Sequence, residues 1–241
     1  MSDNENALRG ANAEKLFRKL LKNNPRLVTK IKRKFRIAAE NYEVFRTGHE
    51  LKKSDVVLVF SNGRAIGVNL KSGSMGFNQI TRMWLEELRA KVGLSKNVAT
   101  KIQYGIDNYR LRDKKHFIAE SHQVLVKKVL QAKKCKILSL IFTNFNEDFV
   151  KILAIYDSGA KILHLYDMKT VLKNLASLRV SFSDKGIIYL GDTLSLQRHG
   201  SDDDASKAMK RKKRYSGNQL QFKMGIISYM NSHKPFARIS L

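Results

Sequence analysis

Three polar residues of one short segment have the types and spacing to hydrolyse a phosphodiester. Asp55 precedes the apolar run Val56–Phe60, and Asn69 and Lys71 close a second apolar run after the turn signal Ser61–Gly63. Because alternate residues of a strand share a face, Asn69 and Lys71 point the same way. Carboxylate and amide oxygens bind hard cations such as Mg²⁺, and a lysine stabilises negative charge beside a phosphate. The segment predicts a metal-dependent phosphodiesterase site; the alternative is an ordinary hairpin with polar ends.

The spacing of these residues resembles the signature of a nuclease superfamily. Asp55, thirteen residues, Asn69, one residue and Lys71 resemble the PD-(D/E)XK motif, and GVNLKSGSMGFNQITR, from Gly67 to Arg82, is similar to type II restriction endonucleases. Ser54 stands where the proline is usual, and Asn69 stands where most members carry an acid, as in restriction enzymes of the MspI type. The resemblance implies Mg²⁺ bound by Asp55 and Asn69, with all three residues catalytic.

The same resemblance implies a substrate and partners. The expected reaction is sequence-specific hydrolysis of double-stranded DNA at a short, GC-rich palindromic site, leaving 5′-phosphate and 3′-hydroxyl ends. The expected partner is a DNA methyltransferase of a restriction-modification pair in a prokaryotic cytoplasm, and the enzyme is expected to act as a monomer or homodimer. Glu40 and Glu43, in a helix predicted from Ala38 to Phe45, are candidates for a further metal ligand.

The charge of the chain indicates a polyanionic partner. Its 46 Lys and Arg residues against 21 Asp and Glu give a net charge of +25, with a pI near 10.2, and neutralised phosphates release counterions. Lys207–Arg214 contains six basic residues, and Lys22–Arg36 contains seven and no acid. The alternative for either segment is a solvated surface. The candidates for DNA contact in these segments are Lys30, Arg33, Lys34, Lys212 and Lys213.

The last third of the chain carries a second resemblance. LSLQRHG and GNQLQFKM, at residues 194–200 and 217–224, are similar to segments with which small restriction enzymes contact base edges. Gln221 and Lys223 would leave one face of a strand, where Lys can donate to guanine and Gln can both donate and accept. The alternative is an amphipathic edge strand with solvated ends. Further candidates for DNA contact are Arg198, as a third base reader or a phosphate contact, and Gln79 and Arg82, which would contact the phosphate backbone or brace the catalytic strand.

The elements that must position these groups predict an α/β or α+β fold. We expect a central mixed sheet flanked by helices, as in a restriction-endonuclease-like core, with extra C-terminal strands for recognition. Helices are predicted over about 96–110 and 116–133, and from Asn78 to Val92. From Lys136 onward the pattern indicates strands, with a short helix over 167–175, and Cys135 is predicted to begin a buried strand. We expect one domain of 241 residues: 1–134 is mainly helical and carries the hairpin 55–71, and 135–241 is strand-rich with a recognition segment at 194–223.

Several other function classes lack their motifs. The sequence contains no GxxxxGK[ST] loop and no GxSxG elbow, which argues against nucleotide-driven and serine-hydrolase chemistry. One cysteine excludes an internal disulfide and a Cys-rich zinc site. No signal peptide or membrane span is predicted, so the expected location is the cytoplasm. Two alternatives stay open: a non-catalytic basic nucleic-acid-binding protein, and a structure-specific or repair nuclease with the same catalytic residues.

Overall fold

The computed structural model describes residues 3–46, 54–73, 77–108, 117–199 and 219–240. These residues divide into two compact units, the first drawn from Met1–Asn78, Phe142–Asn174 and Ile226–Leu241 and the second from Gln79–Ile141 and Leu175–Gly225. The helices are α1 (Asp3–Asn23), α2 (Pro25–Phe35), α3 (Leu85–Val92), α4 (Lys96–Asn108), α5 (Glu120–Thr143), α6 (Met168–Ser177) and α7 (Ile226–Ser232). The strands are β1 (Tyr42–Arg46), β2 (Val56–Phe60), β3 (Ala65–Gly73), β4 (Phe77–Met83), β5 (Val150–Asp157), β6 (Ile162–Asp167), β7 (Val180–Phe182), β8 (Ile188–Leu190), β9 (Leu194–Arg198), β10 (Leu220–Gly225) and β11 (Ala237–Ser240).

The first unit is built on a six-stranded mixed sheet. Its strand order is β1-β2-β3-β5-β6-β11, in which β3 and β5 run parallel and the other neighbours run antiparallel. One face packs against α1 and α2 in a single apolar core. Leu27 and Ile31 of α2 join Val68 and Leu70 of β3 in that core. Because side chains alternate along β3, Asn69 and Lys71 must leave the opposite face.

The predicted hairpin is present as β2 and β3. Gly63 has a φ of 79°, a conformation that favours glycine, and its N–H donates to the Phe60 carbonyl at 2.9 Å. The Asn62 side chain donates to the Ala38 carbonyl at 2.9 Å, which ties the turn to the segment before β1. The turn residues and the β-branched runs were sufficient to place both strands correctly.

The second unit is built on a five-stranded sheet of order β4-β10-β9-β8-β7. Leu194 and Leu196 of β9 and Phe222 of β10 line an apolar cavity together with side chains of α5, among them Leu130 and Ile137. This face of the sheet therefore forms the core of the second unit. The alternate residues of the same strands are mostly polar and leave the other face.

Three predicted elements are wrong, and each error comes from a short run that fits two periodicities. Ala38–Phe45 is not helical, since β1 begins at Tyr42. Residues 78–83 belong to β4, and the helix that follows begins at Leu85, with Glu86 and Glu87 in its first turn. Residues 136–143 continue α5, because Ile137, Leu138 and Ile141 also have helical spacing. Cys135 lies within this helix and is exposed, not buried.

The fold class is confirmed: a mixed sheet flanked by helices in an α+β arrangement. Strands are predicted within 150–157, 160–167, 178–184, 186–192 and 193–200, and the structure has strands at 150–157, 162–167, 180–182, 188–190 and 194–198. The helices predicted over about 96–110 and 167–175 are present at 96–108 and 168–177. The single-domain assignment stays a prediction. No described helix is both long enough and apolar enough to cross a membrane.

Candidate active site

Asp55 and Asn69 are held side by side by the pairing of β2 and β3. Val56 lies opposite Val68, so Asp55 comes beside Asn69 where β2 begins. The Asp55 N–H donates to the Val68 carbonyl at 2.8 Å, and its Oδ2 accepts from the Leu70 N–H at 2.6 Å. The backbone therefore fixes one carboxylate oxygen and leaves the other for a second partner.

Asn69 is buried, with 2% of its surface exposed. Its Nδ2 donates to the Phe142 carbonyl at 2.9 Å, in the last turn of α5, where helix carbonyls lack intrahelical partners. The Oδ1 of Asn69 is also buried and has no hydrogen-bond partner among the described residues. A buried polar atom without a partner costs about 1–3 kcal/mol, which a water or an ion at that position offsets.

Lys71 follows two residues later on the same face and is partly exposed. On the neighbouring strand β5 it lies opposite Ile155, and Asn69 lies opposite Leu153. No acidic side chain in the part of the chain that the structure describes forms an ion pair with Lys71. A cation beside an acidic and an amide oxygen, with apolar neighbours on one side, suits a phosphate ligand.

Glu40 and Glu43 lie away from these residues. Glu43 is on β1 opposite Val59, which in turn lies opposite Ala65, four positions along β3 from Asn69. That separation is about 13 Å along the strand. Glu40 lies in the bend before β1 and not on a helix. Among the described residues, no cluster of three or more His, Cys, Asp and Glu residues is placed to hold a metal.

Although the described residues contain no such cluster, the side-chain oxygens of Asp55 and Asn69 suit a hard cation. One Asp55 oxygen and the orphaned Asn69 Oδ1 are both oxygen donors from neighbouring strands, and Mg²⁺ is commonly held by one or two protein oxygens with water and substrate phosphate completing its shell. The fit rests on the buried Oδ1 of Asn69, which has no hydrogen-bond partner among the described residues.

An aromatic cluster lies on the same face of the first sheet, about 10 Å from Asn69. Tyr166 lies two strands away, beyond Leu153, and its ring meets Tyr229 of α7 edge-on at 5.2 Å. Tyr229 stacks on His233 at 4.2 Å. Burial raises the pKa of Tyr229 to about 12, against a lowering contribution from a hydrogen bond with Asn174.

The pKa of His164, two residues before Tyr166 on β6, is also shifted by its surroundings. Burial lowers the pKa of His164, the positive charge of Arg238 lowers it further, and Asp157 acts in the opposite direction. His164 lies opposite Ile155, which lies opposite Lys71, so His164 is two strands, about 10 Å, from Lys71 on the same face of the sheet.

The second unit brings Gln221 and Lys223 to one face of β10, as predicted. Gln221 is 9% exposed, and burial lowers the pKa of the half-buried Lys223. Arg198 does not lie with them: it is buried opposite Leu220, on the face that packs toward α5. The residue beside Gln221 on β9 is Gln197, which the sequence interpretation missed because the register of β9 against β10 cannot be derived from local patterns.

Gln79 and Arg82 lie on strand β4 and not on a helix, so an odd spacing sends their side chains to opposite faces. Gln79 Oε1 accepts from Gln221 Nε2 at 2.6 Å. An Arg82 guanidinium nitrogen lies 3.1 Å from His199 Nε2. Gln79 therefore joins the Gln221 face, and Arg82 does not.

The basic residues of α2, apart from the half-buried Lys32, are solvent-exposed. They lie on the other side of the first sheet from Asn69 and Lys71, since α2 packs on the Val68 face. Lys34 forms an ion pair with Asp167 at 2.9 Å. Lys30 and Arg33 stay candidates for backbone contact away from the catalytic residues. Lys212 and Lys213 lie outside the described residues.

The fold is similar to that of restriction endonuclease MspI, solved in complex with its cognate DNA, with a TM-score of 0.52. The two sequences are 12% identical, and the similarity covers 83% of this chain and 77% of the MspI chain. No family model and no curated protein matches the sequence. The chain thus has a restriction-endonuclease-like fold.

Proposed function

We propose that this protein is a Mg²⁺-dependent, sequence-specific deoxyribonuclease of the type II restriction class, with a PD-(D/E)XK-type site in which Asn replaces the second acid. One observation carries the proposal: Asp55 and Asn69 are adjacent across β2 and β3, and the buried Oδ1 of Asn69 has no partner among the described residues. The likeness to MspI supports a nuclease function at the coarser level of fold.

Each residue has a role that its position allows. Oδ2 of Asp55 accepts from the Leu70 N–H, and Oδ1 is the oxygen that would bind the metal ion. Asn69 presents Oδ1 while its Nδ2 is anchored on α5. Lys71 supplies positive charge to the phosphate as negative charge develops on its oxygens, and it lowers the cost of deprotonating a nearby attacking water. A bound Mg²⁺ would supply Lewis-acid activation of that phosphate.

The charge of the chain and two polar residues of β10 fit double-stranded DNA as the substrate. The net charge of +25 fits double-stranded DNA, and Gln221 and Lys223 offer donors and an acceptor to base edges of a short, GC-rich palindrome. A monomer or a two-fold homodimer would cut such a site. The cells that make the nuclease would need a DNA methyltransferase to protect their own copies of the site.

The proposal is tested with linear DNA of known sequence, incubated with the protein and Mg²⁺ and, separately, with EDTA. Fragments of fixed length that require Mg²⁺ are the expected result. Lys71→Met should lower the cleavage rate by ~100-fold or more while duplex binding is retained. Lys151→Met, a lysine on β5 of the same sheet, is the matched control. Unchanged cleavage by Lys71→Met would remove the proposed mechanism.

A non-catalytic nucleic-acid-binding protein is the second candidate, because a net charge of +25 suits that role equally well. It predicts a gel shift with no scission in Mg²⁺. A structure-specific or repair nuclease, the remaining alternative, would cut with Mg²⁺ but leave no fixed bands on intact linear duplex.

A further inference from the structure

A row of three glutamines crosses adjacent strands of the second unit. Gln221 of β10 lies directly opposite Gln197 of β9, and on its other side hydrogen-bonds to Gln79 of β4. All three leave the face that points away from α5. Lys223 shares this face two positions along β10, opposite Ser195. The row contains no formal charge, and Lys223 is the cation next to it.

The Gln79–Gln221 hydrogen bond fixes which atoms the pair presents. Gln221 Nε2 donates to Gln79 Oε1 at 2.6 Å, so Gln221 keeps Oε1 as an acceptor and Gln79 keeps its Nε2 hydrogens as donors. In the major groove, the Gln221 acceptor would pair with an exocyclic amine of a base. The Gln79 donor beside it would pair with a neighbouring ring nitrogen or carbonyl. Free glutamines on a solvated strand would each present donor and acceptor interchangeably.

The spacing of the row also matches a duplex. Gln221 and Lys223 are separated by two strand residues, about 6.8 Å, which is the rise of two base-pair steps. Side chains of one strand can therefore address base pairs two steps apart. A lysine that is half-buried and flanked by neutral groups gains more from guanine O6 and N7 than one already paired with an acid.

We propose that Gln79 and Gln197 are specificity-determining residues. Gln197 contacts a base edge beside the one that Gln221 reads, and Gln79 acts as a positioning residue that fixes the amide of Gln221 so that its Oε1 accepts from an exocyclic amine of cytosine or adenine. This inference rests on the proposed function only in requiring that the chain bind duplex DNA; it does not require cleavage.

The test is a binding selection from a pool of duplexes with a randomised central segment, with Ca²⁺ in place of Mg²⁺ because Ca²⁺ takes the same oxygen ligands. Wild type should select a consensus. Gln79→Met and Gln197→Met should each lower the preference at one or two base pairs by roughly tenfold and leave the other positions unchanged. Gln103→Met, the same substitution on helix α4, should leave the consensus intact.

The Gln79→Glu variant shows whether Gln79 acts by holding the amide of Gln221 or only by filling space beside it. A carboxylate still accepts from Gln221 Nε2, so the base preference read by Gln221 should survive, while its negative charge weakens binding of all duplexes alike. The base preference at that position should be lost in Gln79→Met and kept in Gln79→Glu.

Three outcomes would overturn the inference: an unchanged consensus in both methionine variants, a uniform loss of affinity with no change of preference, or a wild type that selects no consensus. The proposed function fails independently. If Gln79→Met and Gln197→Met alter the consensus but the protein cuts no DNA with Mg²⁺, the roles proposed for these glutamines are supported and the nuclease function is rejected. If the protein cuts at a fixed site and the two variants leave the consensus unaltered, the nuclease function is supported and the roles of the glutamines are rejected.

Discussion

The surroundings of Asn69 favour an amide over an acid at this position. Its Nδ2 donates to the Phe142 carbonyl in the last turn of α5, at the end of a helix where partial negative charge accumulates. An aspartate there would set two oxygens against that carbonyl and place a negative charge at the negative end of the helix. The local structure therefore favours an uncharged hydrogen-bond donor at position 69, which asparagine supplies.

Asn69→Asp should lower the free energy of unfolding by about 1–3 kcal/mol, because the Phe142 carbonyl loses its donor in a buried setting. The added charge is not expected to raise cleavage. Urea denaturation of wild type and variant at pH 8 measures the first effect, and a cleavage assay on the same preparations measures the second. Asn41→Asp, at an exposed position before β1, is the control. A variant as stable as wild type would show that the Asn69 hydrogen bond contributes nothing.

Tyr229 makes stability depend on pH in the alkaline range. Its pKa is raised to about 12 by burial, whereas an unfolded tyrosine has a pKa of about 10. Between these values the unfolded chain releases the proton and the native state keeps it, so stability falls as pH rises through this window. Tyr229→Phe should show a shallower loss between pH 10 and 12 than wild type, measured by urea midpoints.

Part of that loss should persist in Tyr229→Phe, because burial also raises the pKa of Tyr166. Tyr104→Phe, at an exposed position on α4, should follow wild type. Parallel curves for wild type and Tyr229→Phe would contradict the assignment.

The elements of the site could be predicted where turn chemistry and strand alternation agreed. The Ser61–Gly63 turn and its β-branched flanks sufficed for β2 and β3, and so for the proximity of Asp55 to Asn69. Residues 78–83 fit a helical spacing, but pairing with β10 makes them a strand. That pairing is non-local, as is the register that sets Gln197 beside Gln221. Local patterns carry no information on either.

Helix α2 carries a stripe of cations that its own stability does not require. Arg26, Lys30 and Arg33 are exposed and spaced by four and three residues, and like charges at such spacing repel. The buried Leu27 and Ile31 orient the stripe toward solvent, on the sheet face opposite Asn69. This arrangement suits phosphates that lie away from the scissile bond.

Replacing Arg26, Lys30 and Arg33 by Gln should lower the slope of log affinity against log salt by up to about 2.7 for a non-specific duplex, since each neutralised phosphate contributes about 0.9. Cleavage of a short duplex that spans only the recognition site should change little. The matched control replaces Lys127, Lys128 and Lys136, exposed on α5, by Gln. Equal slopes for the two triple variants would show that α2 has no special role.

The positive charge is spread over the whole sequence, so affinity for DNA should not depend on any single segment. Lys207–Arg214 contains six cations, and their removal from +25 still leaves +19. Affinity for duplex DNA should therefore survive neutralisation of that segment, with a smaller salt slope, and not collapse. The distribution of charge over the sequence argues for many phosphate contacts, because a single basic tail would have concentrated the excess.

Wild-type affinity for a non-specific duplex should fall by roughly 10³-fold or more between about 50 and 200 mM KCl, the loss typical of six or more phosphate contacts. Fluorescence anisotropy of a labelled duplex over this salt range, with EDTA present to prevent cleavage, gives the slope. The same titration with a single strand should be shallower, because its charge density releases fewer counterions per contact. An affinity that is constant across the range would mean that the net charge of +25 serves some purpose other than nucleic-acid binding, and the nuclease proposal would then lose its substrate.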